Sequence, residues 1–452
     1  STHCISSAAS DVYKRQGLGS ALSIIVGTII GSGIFFKQAS VLDSAGSTFM
    51  ALLAWILAGI ITLTAGLTIA EIGAQMPYTG GLYVYIEKIY GRVLGFMAGW
   101  MQAIVYGPAM IAAVTGFLSI MVTNLFGIGT EWRIPIGLIT IIAIGGLNFL
   151  ENKVGAAFAI ITTIAKMIPI FAIIFCGICW GEQNAVAQTV TELNRSTGGL
   201  GVAVLAALFA YDGWIFIANL GGEIKNPQKL LPKAIIIGIT TVLVIYALIT
   251  IGIFSFIPAD KIHALGKNST TYLADAILGP IGGKVLSVGI IISMLGTLNG
   301  EMLTFPRIIY AMAKRGDLPF SRFLSYVTPK GKAPVIATML LITLTGIMMT
   351  FFDPDYLSNL CVFTIYSFYV LAFFGLFILR YKNKDQRPFS VPFYPLIPLV
   401  AIAGGLFVLV SQFFNDPAGV LLFTGITAVG WPIFFLVKKM SKAQNTICLL
   451  YT

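Results

Sequence analysis

The chain has 452 residues, 57% hydrophobic and only 10% charged, with a mean hydropathy of +0.90. Soluble domains carry roughly 25% charged residues, so a chain this poor in charge cannot clothe itself in a wetted surface. The net charge of +10 does not mark a nucleic-acid binder, because the basic residues sit in short loops between apolar runs, where they set membrane topology.

Apolar runs of about 20 residues, the length with which a helix crosses the hydrocarbon core, recur along the chain. Twelve spans are expected, near 18–43, 48–75, 92–124, 133–150, 155–180, 199–222, 233–257, 280–304, 335–352, 358–380, 394–413 and 417–437. Alternating ten-residue strand patterns are absent, which argues against an outer-membrane barrel. The expected class is an all-α membrane protein with twelve transmembrane helices. Residues 1–16 and 444–452 continue no neighbouring pattern and read as adapter or vector sequence. No signal peptide is evident, and the first span is expected to direct insertion itself.

Two spans are interrupted at their middles. The first reads V-G-T-I-I-G-S-G-I-F over 26–35, and the sixth reads F-A-Y-D-G-W over 209–214. Interrupted spans at matching positions of two halves are the expected mark of an inverted-repeat transporter. The first repeat then covers 17–180 (spans 1–5) and the second 199–380 (spans 6–10), with spans 11 and 12 appended over 394–437. One set of alternate loops, with the C-terminal tail, carries nineteen Lys and Arg against six on the other side (Lys37, Arg133, Arg195, Lys261, Lys267 and Lys284). The rich side faces the cytoplasm, which puts both termini there.

In hydrocarbon, unwound backbone survives only around a polar cavity, and a zwitterionic amino acid suits one. Its carboxylate accepts from free N–H groups at a half-helix N-terminus, where the dipole is positive; its ammonium donates to carbonyls left free at a half-helix C-terminus. The expected donors are the N–H groups of Ser32, Gly33 and Ile34, with the Ser32 hydroxyl, and the expected acceptors are the carbonyls of Ile29 and Phe209. The alternative reading is that these glycines only permit tight helix packing. An aspartate at membrane depth, Asp212, is a functional candidate by default, either as a cap on the unwound turn or as a substrate or proton group. Phe209, Tyr211 and Trp214 gate the cavity or fill the core.

These two segments, with G-L-T-I-A-E-I-G (66–73), P-Y-T-G-G-L-Y-V-Y (77–85), G-G-E-I-K-N-P (221–227) and F-P-R (305–307), resemble signatures of the amino acid–polyamine–organocation superfamily. Within it the chain is similar to the L-type amino acid transporter family, and to its bacterial serine/threonine and alanine–serine–cysteine exchangers, over essentially 17–440. The resemblance implies a leucine-transporter-type 5+5 fold, alternating access, and 1:1 exchange of small neutral amino acids such as Ala, Ser, Thr and Cys in the bacterial inner membrane. Proton-coupled uptake is the alternative. Many animal members carry glycine where this chain has Asp212, and their heavy-chain cysteine between spans 3 and 4 has no counterpart in the loop 123–133. No disulfide-linked heavy chain is therefore expected.

Lys166, in T-I-A-K-M-I-P near the middle of span 5, is costly unless its head finds oxygen partners; snorkelling is the alternative. The resemblance places its ammonium between spans 1 and 8, where sodium-coupled relatives bind a cation, with Ser293 and Thr297 as nearby hydroxyls. Sodium-independent transport follows. Tyr246 lines the cavity or packs in the core. Glu223 and Lys225 are expected to pair with loop residues, Tyr83 and Tyr85 to anchor at the interface, and His263 to lie solvated in an outer loop. Cys176 and Cys179 form a C-x-x-C inside span 5 with no second ligand pair, which favours plain packing. No metal or cofactor is expected, and the lack of clustered titratable groups argues against an enzyme.

Overall fold

The computed structural model describes residues 18–76, 81–149, 152–191, 198–215, 226–328, 333–382 and 387–439. Among these, regular structure is helical, apart from one isolated bridge between Ser47 and Thr189. Among the described residues, eight helices are long and apolar enough to cross a membrane, and Ile164–Trp180, Gly199–Tyr211 and Val335–Phe351 are shorter apolar helices.

In chain order the principal elements are α1 (Leu18–Ile29), α2 (Gly33–Ala45), α3 (Thr48–Gln75), α4 (Gly81–Tyr90), α5 (Arg92–Trp100), α6 (Gly107–Phe126), α7 (Arg133–Leu147) and α8 (Asn152–Trp180). They continue as α9 (Gly199–Tyr211), α10 (Pro227–Phe256), α11 (Ser269–Lys314), α12 (Val335–Phe351), α13 (Pro354–Lys382), α14 (Leu396–Asn415) and α15 (Pro417–Ala428). A π-helical turn, Met101–Tyr106, joins α5 to α6, and α11 is kinked at Gly279, whose φ is 70°.

Local chemistry explains the turns. Gly46 ends α2 in the left-handed region, and the Ser47 hydroxyl accepts the Met50 N–H to start α3. The apolar 18-residue stretch of the run 92–126 is 78% buried and that of α3 67%, against 22% for the stretch 130–147. The first two therefore carry Ala, Gly and Thr on every side, whereas α7 presents Ile139 and Ile142 outward. Such small residues let backbones approach when hydrocarbon supplies no hydrophobic drive between helices. α3 packs along α10, α9 against α2 and α3, and α11 against α8 and α6.

Several charges at the ends of the helices are paired. Glu71, from the 66–73 motif, is fully buried and takes Arg380 through both oxygens at 2.6 and 2.7 Å, plus the Val391 N–H at 2.7 Å. At the end of α11, Arg315 forks onto Glu87 of α4, while Asp317 accepts from Arg92 and Tyr83. The Glu87 bonds hold the Arg315 guanidinium above its usual range, and burial raises the Tyr83 phenol. Tyr83 and Tyr85 are thus not interfacial anchors: they are 5% and 0% exposed, because α4 folds back onto the helix ends. His263 is also not free in solvent; its Nδ1 lies 2.7 Å from Asp43 Oδ1. Glu223, Lys225 and residues 77–80 lie outside the described residues.

Candidate functional site

The first break is real and short. The Ile30 N–H still bonds the Val26 carbonyl, and the Phe35 and Phe36 N–H groups both turn back to the Ser32 carbonyl at 3.1 Å. Between them the N–H groups of Gly31, Ser32, Gly33 and Ile34 have no backbone acceptor among the described residues, as the first turn of a helix requires. The Ser32 side chain is 1% exposed, and its hydroxyl has no partner.

The second break faces the first. α9 ends at Tyr211; Asp212 is extended, and Gly213 has a φ of 103°, a conformation that glycine adopts without strain. A Cβ at Gly33 would stand 2.5 Å from the Ala210 Cα, so the start of α2 touches the end of α9 directly. Thr28 ties the breaks together from the other side, its hydroxyl 3.3 Å from the Gly213 carbonyl.

Tyr246 spans the junction. It is fully buried on α10, and its hydroxyl lies 3.1 Å from the Ile29 carbonyl and 2.8 Å from that of Ala210. It therefore braces both breaks, beyond simple packing. Tyr211 packs 4.9 Å from it, ring centre to ring centre, and donates to the Trp55 carbonyl. Phe209 instead has the Lys37 ammonium 5.7 Å from its ring, and Trp214 packs on Tyr369 at 5.3 Å. The three aromatics of the second break are thus all buried, each against a different neighbour.

Lys166 is 1% exposed and does not snorkel. Its Nζ lies 2.5 Å from the Gly27 carbonyl and 2.7 Å from the Ile30 carbonyl, at the C-terminal end of α1. An ammonium suits this end of a half-helix, where dipole and orphan carbonyls both favour positive charge. α8 runs against α11 here: Cβ atoms at Gly296 and Gly289 would meet Thr162 and Pro169. That register sets Lys166 opposite the Ser293 level. The Ser293 hydroxyl is buried without a partner, while the Thr297 hydroxyl donates to the Ser293 carbonyl and lies against Gly31.

Asp212 is 5% exposed and accepts from the Tyr106 hydroxyl and the Gly213 N–H. The π-helical turn before α6 presents Tyr106 here; such bulges re-aim side chains at functional positions. Sequence reading missed Tyr106, because nothing in a tyrosine within an apolar run marks a bulge. It missed Glu301 too, although an acid inside the apolar run of α11 was a signal of the same kind as Asp212. The fold brings these two carboxyls close enough to interact, where the sequence showed no cluster. Also missed was Lys37, counted as a loop charge: it is fully buried, with Asp355 at 2.9 Å and the Asn359 Oδ1 at 3.0 Å.

A surface cavity of about 700 Å³ lies on the flank of α14 beside Gly198, and none of its walls belongs to the breaks. The buried polar groups at the two facing breaks, not cavity size, locate the site. Cys176 is buried and Cys179 exposed, both as free thiols.

Comparison with known proteins gives the family. The chain is 46% identical to the serine/threonine exchanger SteT of Bacillus subtilis over 430 residues, 94% of this chain and 97% of that one. It is 29% identical to the mouse b(0,+)-type amino acid transporter 1, covering 98% and 92% of the two chains, and 30% identical to the mouse Asc-type amino acid transporter 1, covering 94% and 81%. These relatives are transporters and exchangers, not enzymes. The profile of the amino acid permease family matches residues 17–437, and the chain belongs to that family, a multi-pass membrane transporter of the amino acid–polyamine–organocation superfamily.

Proposed function

We propose that this amino acid transporter exchanges small neutral L-amino acids, such as Ala, Ser, Thr and Cys, across the bacterial cytoplasmic membrane by sodium-independent alternating access. The observation that carries the reading is the pair of facing breaks: unpaired N–H groups at 31–34 beside the carbonyl-rich end of α9, joined by Tyr246. In this reading the substrate carboxylate lies at Ser32, Gly33 and Ile34. The ammonium lies toward Ile29, Phe209 and Asp212, and the unwound turn at Tyr211, Asp212 and Gly213 forms the opposite wall. Neither segment carries a basic side chain to meet an acidic substrate. Lys166 occupies the position of a coupling cation, with Ser293 and Thr297 beside it, and Trp214 and Tyr246 take part in closure.

The architecture proposed is twelve spans, as a five-plus-five inverted repeat over 17–180 and 199–380 with two appended spans over 394–437. The nineteen-to-six basic bias supports cytoplasmic termini. The chain is proposed to work without a disulfide-linked heavy chain, since 123–133 holds no cysteine. Proton-coupled uptake is the second reading, favoured by the buried carboxyl of Asp212.

Counterflow in proteoliposomes tests the proposal. Unlabelled serine added outside should accelerate efflux of labelled serine in sodium-free buffer, and neither N-acetylalanine nor alanine amide should replace it. Flux that follows a pH gradient without stimulation by outside serine would favour the symport reading and remove exchange.

A further inference from the structure

α11 presents one buried face toward the breaks, built from residues four apart. Ser293 leads, Thr297 lies against Gly31, and Phe305 packs edge-on to Tyr106 at 5.5 Å between ring centres. Glu301 sits between the last two. Residues at this spacing share one face of a helix, so its carboxyl is aimed at the space between the first break and the Tyr106–Asp212 pair.

Glu301 is 2% exposed, and its Oε2 has no hydrogen-bond partner. A buried acid that only filled space would have its oxygens satisfied. Neither Glu301 nor Asp212 forms an ion pair among the described residues. Two further buried hydroxyls have no partner: Ser32 Oγ in the first break and Ser293 Oγ two turns earlier on α11. Three buried atoms without partners, Ser32 Oγ, Ser293 Oγ and Glu301 Oε2, thus belong to the first break and to α11.

An accounting of acceptors adds to this. The carbonyls of Gly27 and Ile30 take Lys166, those of Ile29 and Ala210 take Tyr246, and that of Phe209 takes the Asp212 N–H at 3.3 Å. That of Gly213 takes Thr28. An ammonium brings three donors, and these carbonyls offer it only what their present bonds leave. Carboxylate oxygens accept more strongly, through charge-assisted bonds.

We propose that Glu301, together with Asp212, receives the substrate's α-ammonium and thereby selects amino acids over the matching hydroxy acids. The inference rests on the exchange reading above and adds a side-chain acceptor on α11 to it.

The test is competition against labelled serine in proteoliposomes, comparing L-alanine with L-lactate, which carries a hydroxyl in place of the ammonium. Wild-type protein should prefer alanine by at least about a hundredfold, since a site built for a buried ammonium leaves charge uncompensated without it. Glu301→Gln should weaken alanine by about 10- to 100-fold, leave lactate unchanged, and so narrow the gap; Glu301→Asp should restore part of it. If Glu301→Gln weakens both ligands alike, or neither, Glu301 does not contact the ammonium. Equal competition by alanine and lactate in the wild type would overturn the inference without any variant. Absence of serine exchange by the wild type would instead refute the exchange reading itself.

Discussion

Replacing Lys166 tests how the first break is held. Its ammonium lies 2.5 and 2.7 Å from the carbonyls of Gly27 and Ile30, at 1% exposure. These carbonyls stand where α1 stops, so they have no helical partner beyond the break. Lys166→Met keeps most of the apolar stem and removes the charge; Lys166→Ala also opens a cavity. Each orphaned carbonyl costs about 1–3 kcal/mol, or about 2–6 kcal/mol for the two. If that cost falls on the states in which α1 packs on α8, their population drops between about 30-fold and about 10⁴-fold. A sodium ion about 4 Å from this ammonium would be repelled by about 4 kcal/mol even at an effective dielectric of about 20. We therefore expect wild-type serine exchange in proteoliposomes to be unchanged when choline replaces sodium. Both variants should exchange at least about tenfold more slowly, with Lys166→Met the more heat-stable of the two. Sodium-dependent wild-type flux, or a Met variant that exchanges at the wild-type rate, would show that Lys166 does not brace the break.

Two further outcomes follow from single contacts. Gly33→Ala would place a methyl carbon 2.5 Å from the Ala210 Cα; a backbone neighbour cannot yield as a side chain can, and overpacking costs about 1–3 kcal/mol or more. The variant should lose the thermal stabilisation that serine gives the purified protein, and wild-type stabilisation would show that the breaks do not need this close approach. Asp355→Asn would leave the fully buried Lys37 ammonium uncompensated, at a cost of about 3–5 kcal/mol. Its melting temperature should fall and recover in Lys37→Met/Asp355→Leu; an unchanged melting temperature in Asp355→Asn alone would mean that the pair adds nothing.

What the amino-acid sequence determined by itself was set by local chemistry and by the solvent. Runs of apolar residues long enough to cross hydrocarbon mark helices, because backbone in lipid must bond to itself. Gly31, Ser32 and Gly33, and Asp212 with Gly213, interrupt such runs visibly, and a lysine in mid-span announces that it must find oxygen partners. The positions of both breaks and the burial of Lys166 were therefore legible. Only the tertiary structure decided what those groups meet. That Tyr246 holds Ile29 and Ala210 depends on how α10 lies against α1 and α9, and no periodicity encodes that approach. Tyr106 reaches Asp212 through a π-helical turn whose sequence, M-Q-A-I-V-Y, reads as ordinary helix. Lys37 read as a loop charge until α13 supplied Asp355 from more than 300 residues away. Glu301 drew no notice in the sequence, and only packing buries it on α11 near Asp212. Charge in a low dielectric is governed by its nearest partners. Those partners come from distant parts of the chain, so side-chain roles were fixed by packing, whereas the spans and their interruptions were fixed by composition.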